Sequence, residues 1–303
     1  MRSVSLVIVS LASVTLAACD RSASPPAAAA TQPKSCAELA SIALPSATLT
    51  TETVAAGAFQ SPQPVFPGQA VDFSKLPEFC RATGSIKPSP DSDIRFEVWL
   101  PAQNWNGKFL QTGNGGAAGS IVYASLADPL ARGYAVANTD TGHQGGGGDF
   151  AWAAEHPEKL TDYQYRAVHE LTVVGKAVTA ARYGKPPAKS YWLGCSTGGR
   201  QGLKEAQKYP DDYDAIVAGA PASNWSALMS SSIVAQNALT GRRSLGVDKL
   251  GLLKEAAIAA CDDTDGVVDR VVGRPAECKF DPAELQCTAN RTSMCLKIGR
   301  AHV

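Results

Sequence analysis

Short apolar runs alternate with amphipathic stretches through the middle of the chain. The runs with the length and composition of β-strands cover residues 95–100, 108–112, 134–138, 189–193 and 214–218. Residues 162–183 instead have the periodicity of a helix, with one apolar face formed by Val168, Leu171, Val174, Val178 and Ala181. Strands that alternate with helices predict an α/β fold on a mostly parallel sheet with right-handed crossovers.

The pattern changes on both sides of this core. Residues 36–87 are rich in proline and predict an irregular N-terminal wrap held by a disulfide. Residues 226–260 are helical in pattern and mixed in polarity, and the chain then becomes rich in cysteine and aspartate. We therefore interpret residues 36–225 as the N-terminal part of the core and residues 226–297 as the start of an inserted lid domain.

The most informative motif is Gly194-Cys195-Ser196-Thr197-Gly198, which lies between the strand-like run 189–193 and a helical stretch at 199–208. In this strand–turn–helix context the motif predicts a nucleophile elbow, with Ser196 as the nucleophile. The turn is tight, so glycine is needed on either side of the serine. The N–H group of Thr197 is the first expected oxyanion donor. The alternative is a serine that only shapes the turn.

A second oxyanion donor is expected from a glycine-rich loop that follows an earlier strand. Residues 113–116 (GNGG) follow the run 108–112, and we favour the N–H group of Gly116 because glycine lets the backbone approach a substrate. The alternative is an ordinary glycine-rich turn. An α/β-hydrolase has the same order of elements along its chain: a glycine loop comes first, a strand and a helix follow, and the elbow comes last.

The catalytic base is harder to assign among His143, His156, His169 and His302. In an α/β-hydrolase the acid and the histidine follow the serine, and in this chain only His302 does so. His143 follows a strand and either lines the pocket or bonds to the backbone. We expect His156 and His169 to be structural.

The first residues have the pattern of an export signal. A positive charge at Arg2 precedes an apolar run, residues 4–16, that is too short to span a bilayer. The run ends in LAAC, which resembles a bacterial lipobox and implies cleavage before Cys19 and acylation of its thiol, so that residues 1–19 comprise the lipoprotein signal peptide and the lipobox. The alternative is an ordinary secretory signal. Residues 20–35 predict a flexible tether, and the protein is expected to be a periplasmic or cell-surface lipoprotein of a bacterium.

Composition narrows the class of protein further. The 303 residues are 45% hydrophobic, and 28 basic residues balance 28 acidic ones, so nothing indicates a nucleic-acid partner. In an exported protein the cysteines are expected to form disulfides. Seven remain besides Cys19, and pairing those nearest in sequence predicts Cys36–Cys80, Cys261–Cys278 and Cys287–Cys295. Cys195, beside the proposed nucleophile, is then left without a partner.

Several segments together resemble the tannase and feruloyl esterase family. They are residues 104–109 (NWNGKF), 113–116 (GNGG), 139–143 (TDTGH), 190–201 (SYWLGCSTGGRQ) and 206–210 (AQKYP). The resemblance covers about residues 36–296. It implies an α/β-hydrolase core with a calcium-bearing lid, and hydrolysis of small aromatic esters, such as feruloyl or galloyl esters, through an acyl-enzyme on Ser196.

An aspartate-rich loop at residues 261–271 (CDDTDGVVDRV) is the predicted metal site. Hard oxygen ligands crowded into one short loop suit Ca²⁺, although the spacing does not fit an EF-hand. The family resemblance implies a structural calcium ion as the cofactor. Its ligands would be the side chains of Asp262, Asp265 and Asp269 and the backbone carbonyls of Val267 and Val271. The alternative is a solvated acidic turn.

The resemblance also implies a partner for Cys195, because the family pairs this cysteine with one beside the catalytic histidine. No such Cys–His pair follows in this chain. Residues 298–303 (IGRAHV) match one reading frame of a common sequencing adapter, so we expect His302 to be an artefact and the chain to be a truncated, inactive esterase. A genuine short C-terminus is the alternative.

Two other functions remain open. A chain without its base fits a non-catalytic surface lipoprotein that binds ligands on a degenerate hydrolase scaffold. The same fold also serves serine acyltransferases and peptidases.

Overall fold

The computed structural model describes residues 32–63, 71–240, 245–290 and 294–297. The predicted export signal with Cys19 and most of the tether precede the first described residue, and residues 298–303, which include His302, also lie outside the described ranges. The chain divides into two compact units, Met1–Gly219 and Ala220–Val303.

The first unit is built around a seven-stranded sheet. Its strands in chain order are β1 (Ala47–Val54), β2 (Phe79–Ile86), β3 (Ile94–Pro101), β4 (Lys108–Thr112), β5 (Ala135–Thr139), β6 (Lys189–Cys195) and β7 (Ala215–Gly219). In space they follow the order β1-β2-β3-β5-β4-β6-β7. The pairings among β1, β2, β3 and β5 are antiparallel, whereas β5, β4, β6 and β7 are parallel neighbours. The predicted α/β fold is therefore present, and its parallel half carries the elbow.

The described helices of the first unit are α1 (Cys36–Leu39), α2 (Tyr123–Ala131), α3 (Pro157–Thr161), α4 (Ala167–Tyr183) and α5 (Thr197–Lys208). The helix predicted over residues 162–183 begins as a π-helical turn, Asp162–Arg166, and continues as α4. It ends at Gly184, whose φ of 71° is the left-handed conformation that commonly terminates helices.

Apolar side chains cover both faces of the sheet. On one face Leu171 of α4 packs in a buried cluster with Phe109 of β4, and on the other Leu126 of α2 packs with Trp99 of β3. The close approach of α4 depends on Gly175, where a Cβ atom would lie 2.7 Å from the Phe109 ring. Full burial of a large apolar side chain contributes roughly 1.5–3 kcal/mol, so these two layers hold the sheet together.

The prediction that residues 36–87 are irregular was wrong. This segment contains α1, β1 and β2, and the disulfide Cys36–Cys80 joins α1 to β2. β1 pairs with β2 on one side only among the described strands, and its threonine-rich sequence leaves much of the strand exposed. Half-polar strands of this kind give a weak apolar signal, which the prolines between them obscured.

The second unit is described through α6 (Trp225–Leu239) and α7 (Val247–Cys261) and the segments that follow. The disulfides Cys261–Cys278 and Cys287–Cys295 close its two loops, so all three expected pairs are present. A small cluster around Leu285 and Leu296 forms its buried centre. Among the residues that the structure describes, no helix has the length and apolar character needed to cross a bilayer.

Candidate active site

Ser196 lies at the sharp turn between β6 and α5. Its backbone has φ 59° and ψ −118°, a conformation that residues with a side chain rarely adopt. The Ser196 N–H group donates a hydrogen bond of 3.1 Å to the carbonyl of Gly219, so the end of β7 supports the turn. Strained backbone of this kind persists where the surrounding structure holds it, and it is concentrated at functional sites.

Glycine is required beside the serine because the chain crosses itself closely here. A Cβ atom at Gly194 would lie 2.4 Å from the carbonyl oxygen of Gly198. A Cβ atom at Gly113 would lie 2.5 Å from the Cα atom of Gly198, so the glycine loop after β4 also packs directly against the elbow. The three glycines bring loop and elbow into backbone contact.

Two buried amide side chains fix the glycine loop to α5. The side-chain oxygen of Gln201 accepts the Asn114 N–H at 3.1 Å, and its NH₂ group donates to the side-chain oxygen of Asn114 at 3.1 Å. Asn114 also accepts the N–H of Gly198 on its carbonyl and donates to the carbonyl of Thr139. Nothing in the sequence alone indicates this pair, although both residues lie in the segments that carry the family resemblance.

The two predicted oxyanion donors are neighbours. The Thr197 hydroxyl donates to the carbonyl of Gly116 at 2.6 Å. Gly116 has φ +55°, and a Cβ atom there would lie 2.3 Å from the carbonyl oxygen of Gly147, so no other residue fits without displacement. Among the hydrogen bonds of the described residues, none uses the N–H group of Gly116 or of Thr197 as a donor.

A cavity of about 560 Å³ within the first unit adjoins the elbow. It is lined by residues of the glycine loop, of α2 and of the β6 end, including Gly113, Gly115 and Cys195. Cys195 is exposed, and it is the free cysteine among the described residues. The proposed nucleophile therefore follows directly on a residue that lines a concave surface.

His143 supports the glycine loop and has no hydrogen bond to Ser196. Its Nε2 atom donates to the carbonyl of Ala117 at 2.8 Å, and its ring stacks on Trp152 with 3.6 Å between centroids. Burial lowers the pKa of this imidazole, which favours its neutral form. Of the two interpretations of His143, the backbone-bonded one is observed.

The other two histidines in the described ranges are also engaged elsewhere. His156 lies 3.1 Å from both carboxylate oxygens of Asp91, and His169 lies 2.7 Å from a carboxylate oxygen of Asp212. Within the described residues, no hydrogen bond joins a histidine to the Ser196 hydroxyl. His302 is outside this part of the chain.

Asp140 follows β5 and is almost fully buried. One carboxylate oxygen accepts the N–H groups of Arg95 and Gly142, while the other, Oδ2, has no hydrogen-bond partner among the described residues. Burial raises the pKa of this carboxyl group to about 7, and the two N–H donors only partly oppose the rise.

Stability is expected to fall with rising pH through Asp140. The pKa of Asp140 is about 3.8 in the unfolded chain and about 7 in the folded protein, so the folded state binds the proton more tightly. The stability that this proton contributes is complete below about pH 4 and is lost as the pH rises through about 7. Between pH 5 and pH 8 the loss is roughly 2 to 3 kcal/mol. The free energy of unfolding in urea, compared between wild type and Asp140→Asn, measures it. Relative to wild type, the asparagine variant should gain stability as pH rises, and exposed Asp128→Asn should not; a constant difference would contradict the assignment.

The predicted calcium loop has mixed geometry. Asp262 is nearly buried, and its Oδ1 atom has no hydrogen-bond partner among the described residues, as expected for an oxygen that binds a cation. Asp265 and Asp269 accept the backbone N–H groups of Val267 and Val271 at 2.9 and 3.0 Å. The donor chemistry fits Ca²⁺, but these carboxylates are not gathered into a set with ligand atoms within 4.8 Å of one another.

Known proteins resemble this chain over most of its length. A family model described as tannase and feruloyl esterase matches residues 80–298. An uncharacterized esterase of Xanthomonas campestris is 41% identical over 264 residues, which are 86% of this chain and 45% of the relative.

Solved structures give the same result. A crystal structure of an esterase from Aspergillus oryzae aligns with a TM-score of 0.77 at 35% identity, over 88% of this chain and 54% of that one. Feruloyl esterase B from the same organism aligns with a TM-score of 0.75 at 34% identity, again over 88% and 54%. The chain spans about half the length of the relatives that it matches.

Proposed function

The chain belongs to the tannase and feruloyl esterase family, and on that premise we propose that the whole protein hydrolyses esters of aromatic acids, such as feruloyl or galloyl esters, through an acyl-enzyme on Ser196. The observation that carries the proposal is the elbow, in which a serine at positive φ packs against the glycine loop. The N–H groups of Thr197 and Gly116 have no acceptor among the described residues. The experiment that tests it is Ser196-dependent release of ferulic acid from methyl ferulate.

In the proposed reaction the Ser196 hydroxyl attacks the ester carbonyl and gives its proton to a base. The negative charge that develops on the carbonyl oxygen accepts hydrogen bonds from the N–H groups of Thr197 and Gly116. The alcohol leaves with the proton from the base, and water then releases the aromatic acid by the same steps. One oxyanion donor typically contributes about 10²- to 10³-fold to the rate, so the bond that seats Gly116 beside Thr197 is mechanistically important.

The base and the acid are proposed to lie outside the described residues. The three histidines that the structure describes bond to Ala117, Asp91 and Asp212 instead of Ser196. We therefore propose that residues 20–303 by themselves are inactive. Cys195, free and exposed next to the serine, is the proposed attachment point for the element that brings the histidine, as the family resemblance implies.

A non-catalytic ligand-binding protein remains the second candidate, and the same observation about the three histidines favours it. The two functions differ in products: an esterase releases free aromatic acid from methyl ferulate or methyl gallate, whereas a binding protein returns the ester unchanged. An acyltransferase would instead pass the acyl group to an added alcohol.

Export and a lipid anchor at Cys19 also belong to the proposal. Three disulfides in one chain are typical of proteins that fold in an oxidising compartment. We propose a periplasmic or cell-surface bacterial lipoprotein that contacts the membrane only through its N-terminal acyl chains. Lid function for residues 226–297 is likewise proposed.

Calcium is the proposed structural ion of the second unit. The side chains of Asp262, Asp265 and Asp269 and the carbonyls of Val267 and Val271 would hold it, and the partnerless oxygen of Asp262 supports this choice. The disulfide Cys261–Cys278 closes the loop that carries all five residues. When bound, the ion would offset the repulsion among the carboxylates and order the loop.

Removal of calcium is expected to lower the thermal stability of the second unit. An ion present at about 100 times its Kd stabilises the folded state by roughly 2.7 kcal/mol, so EGTA should lower the melting temperature by several degrees. Asp262→Asn should melt at the lower temperature with or without EGTA, and the exposed control Glu277→Gln should behave as wild type. Calorimetry with and without Ca²⁺ measures the shift; a wild type indifferent to EGTA would refute the site.

A further inference from the structure

Three side chains of types that bind metals lie close together beside α5, in a place that the proposed reaction does not use. They are His169 of α4, Glu205 of α5 and Asp212 of the turn before β7, and one ligand atom from each lies within 4.8 Å of the other two. His169 Nδ1 is 2.7 Å from Asp212 Oδ2. The three ligand atoms therefore lie close enough together for one metal ion to join them, in place of the hydrogen bond between His169 and Asp212.

Of the three side chains, Glu205 gives the strongest indication of a ligand. Its side chain is fully buried, and neither carboxylate oxygen has a hydrogen-bond partner among the described residues. Buried polar atoms are nearly always paired, because an unpaired one loses its hydration without compensation. No salt bridge of the described residues includes Glu205, and the nearby Lys176 donates to the backbone carbonyl of Asp212.

We propose that His169, Glu205 and Asp212 bind a divalent first-row transition ion of the zinc type. One imidazole nitrogen and two carboxylate oxygens form a ligand set that zinc accepts at about 2.0–2.2 Å, with a net charge that a divalent ion neutralises. Imidazole disfavours Ca²⁺ and Mg²⁺, which select oxygen ligands. The ion binds here without any part in ester hydrolysis.

The surroundings suit such an ion. The side chains of His169 and Asp212 are 28% and 14% exposed, so the site opens to solvent on one side, where a water molecule can complete a tetrahedral shell. Tyr209 stacks on the His169 ring at 3.7 Å between centroids and fixes its orientation. Among the residues that the structure describes, no further histidine, cysteine, aspartate or glutamate joins this group of ligand atoms.

The ion would join three elements of the first unit. α4 supplies one ligand, α5 a second and the turn into β7 the third, and α5 begins directly after Ser196. Both β7 and α5 support the backbone of the elbow, through Gly219 and through the helix itself. Zinc is thus a structural clamp on the element that presents the nucleophile.

The test is zinc binding by the full chain, stripped with a chelator and then kept in millimolar Ca²⁺ to occupy the aspartate loop. Calorimetric titration with ZnCl₂ is expected to give one site per chain and a higher melting temperature. Glu205→Gln keeps the shape of the side chain and removes a ligand charge, and should weaken binding at least 100-fold. Glu170→Gln, on the same helix as His169, is the matched control and should bind as wild type does.

A second measurement makes the result independent of variant folding. Cobalt titrated into wild type should produce the visible bands of a tetrahedral site with nitrogen and oxygen ligands, without thiolate charge-transfer absorption, and Cys195→Ser should leave them unchanged. Failure of the folded wild-type chain to bind zinc would overturn the proposal. So would binding that Glu205→Gln leaves intact, or thiolate bands that disappear with Cys195→Ser.

Discussion

Ser196→Ala is expected to abolish ester hydrolysis in a chimeric protein. The chimera joins this chain, up to Leu296, to the part of the Xanthomonas campestris relative that lies beyond the region matched by this chain. The alanine removes the only atom that forms the acyl-enzyme, so kcat/KM for methyl ferulate should fall about 10⁴-fold or more. Release of ferulic acid, followed by liquid chromatography, measures the rate. Residues 20–303 alone should show no turnover above their own Ser196→Ala variant.

Two controls make this result interpretable. Ser41→Ala removes an exposed hydroxyl that donates to the carbonyl of Glu38, and it should leave kcat/KM unchanged. Circular dichroism and a cooperative melt establish that each chimera is folded. Turnover that survives Ser196→Ala in a folded chimera would contradict the proposed mechanism. Ser196-dependent turnover by residues 20–303 alone would contradict the proposal that the base lies outside the described residues.

Gly194→Ala is expected to destabilise the first unit by about 3 kcal/mol or more, which places it among the severe substitutions. The new Cβ atom would lie 2.4 Å from the carbonyl oxygen and 2.5 Å from the carbonyl carbon of Gly198. Both are backbone atoms, so no side-chain rotation relieves the clash, and the elbow must open. Urea unfolding followed by tryptophan fluorescence measures the loss, which Trp192 of the adjoining strand should report.

Gly115→Ala is the matched control for this substitution. Gly115 lies in the glycine loop, but nothing is within 4 Å of a Cβ atom there and its φ is in the ordinary range. Its alanine variant should unfold within about 0.5 kcal/mol of wild type. Equal losses for Gly194→Ala and Gly115→Ala would mean that Gly194 and Gly198 do not approach each other as described.

The parallel part of the sheet could be predicted from the sequence because its strands are short apolar runs, of which β5 is buried along its whole length. β4 spans Lys108–Thr112, as its apolar run predicts, and β6 and β7 extend only to Cys195 and Gly219 beyond the predicted ends. β1 and β2 could not be found in this way, because β1 is a threonine-rich edge strand, β2 mixes polar with apolar residues, and their pairing depends on contacts distant in sequence.

The elbow was also predictable, because its geometry is local: two glycines and a serine fix one turn. The contacts that hold it are not local. Asn114 and Gln201 are 87 residues apart, and nothing in either segment alone indicates their reciprocal hydrogen bonds. The same is true of His169, for which the sequence predicts a structural role but does not indicate the neighbours Glu205 and Asp212.

The most direct test of the account is to find the reactive atom. The folded chimera is treated with a fluorophosphonate, digested with trypsin and mapped by mass spectrometry. We expect a single adduct on Ser196 within the peptide SYWLGCSTGGR, residues 190–200, and none in Ser196→Ala. An adduct on another residue, or one that persists in the alanine variant, would contradict the assignment of Ser196 as the nucleophile.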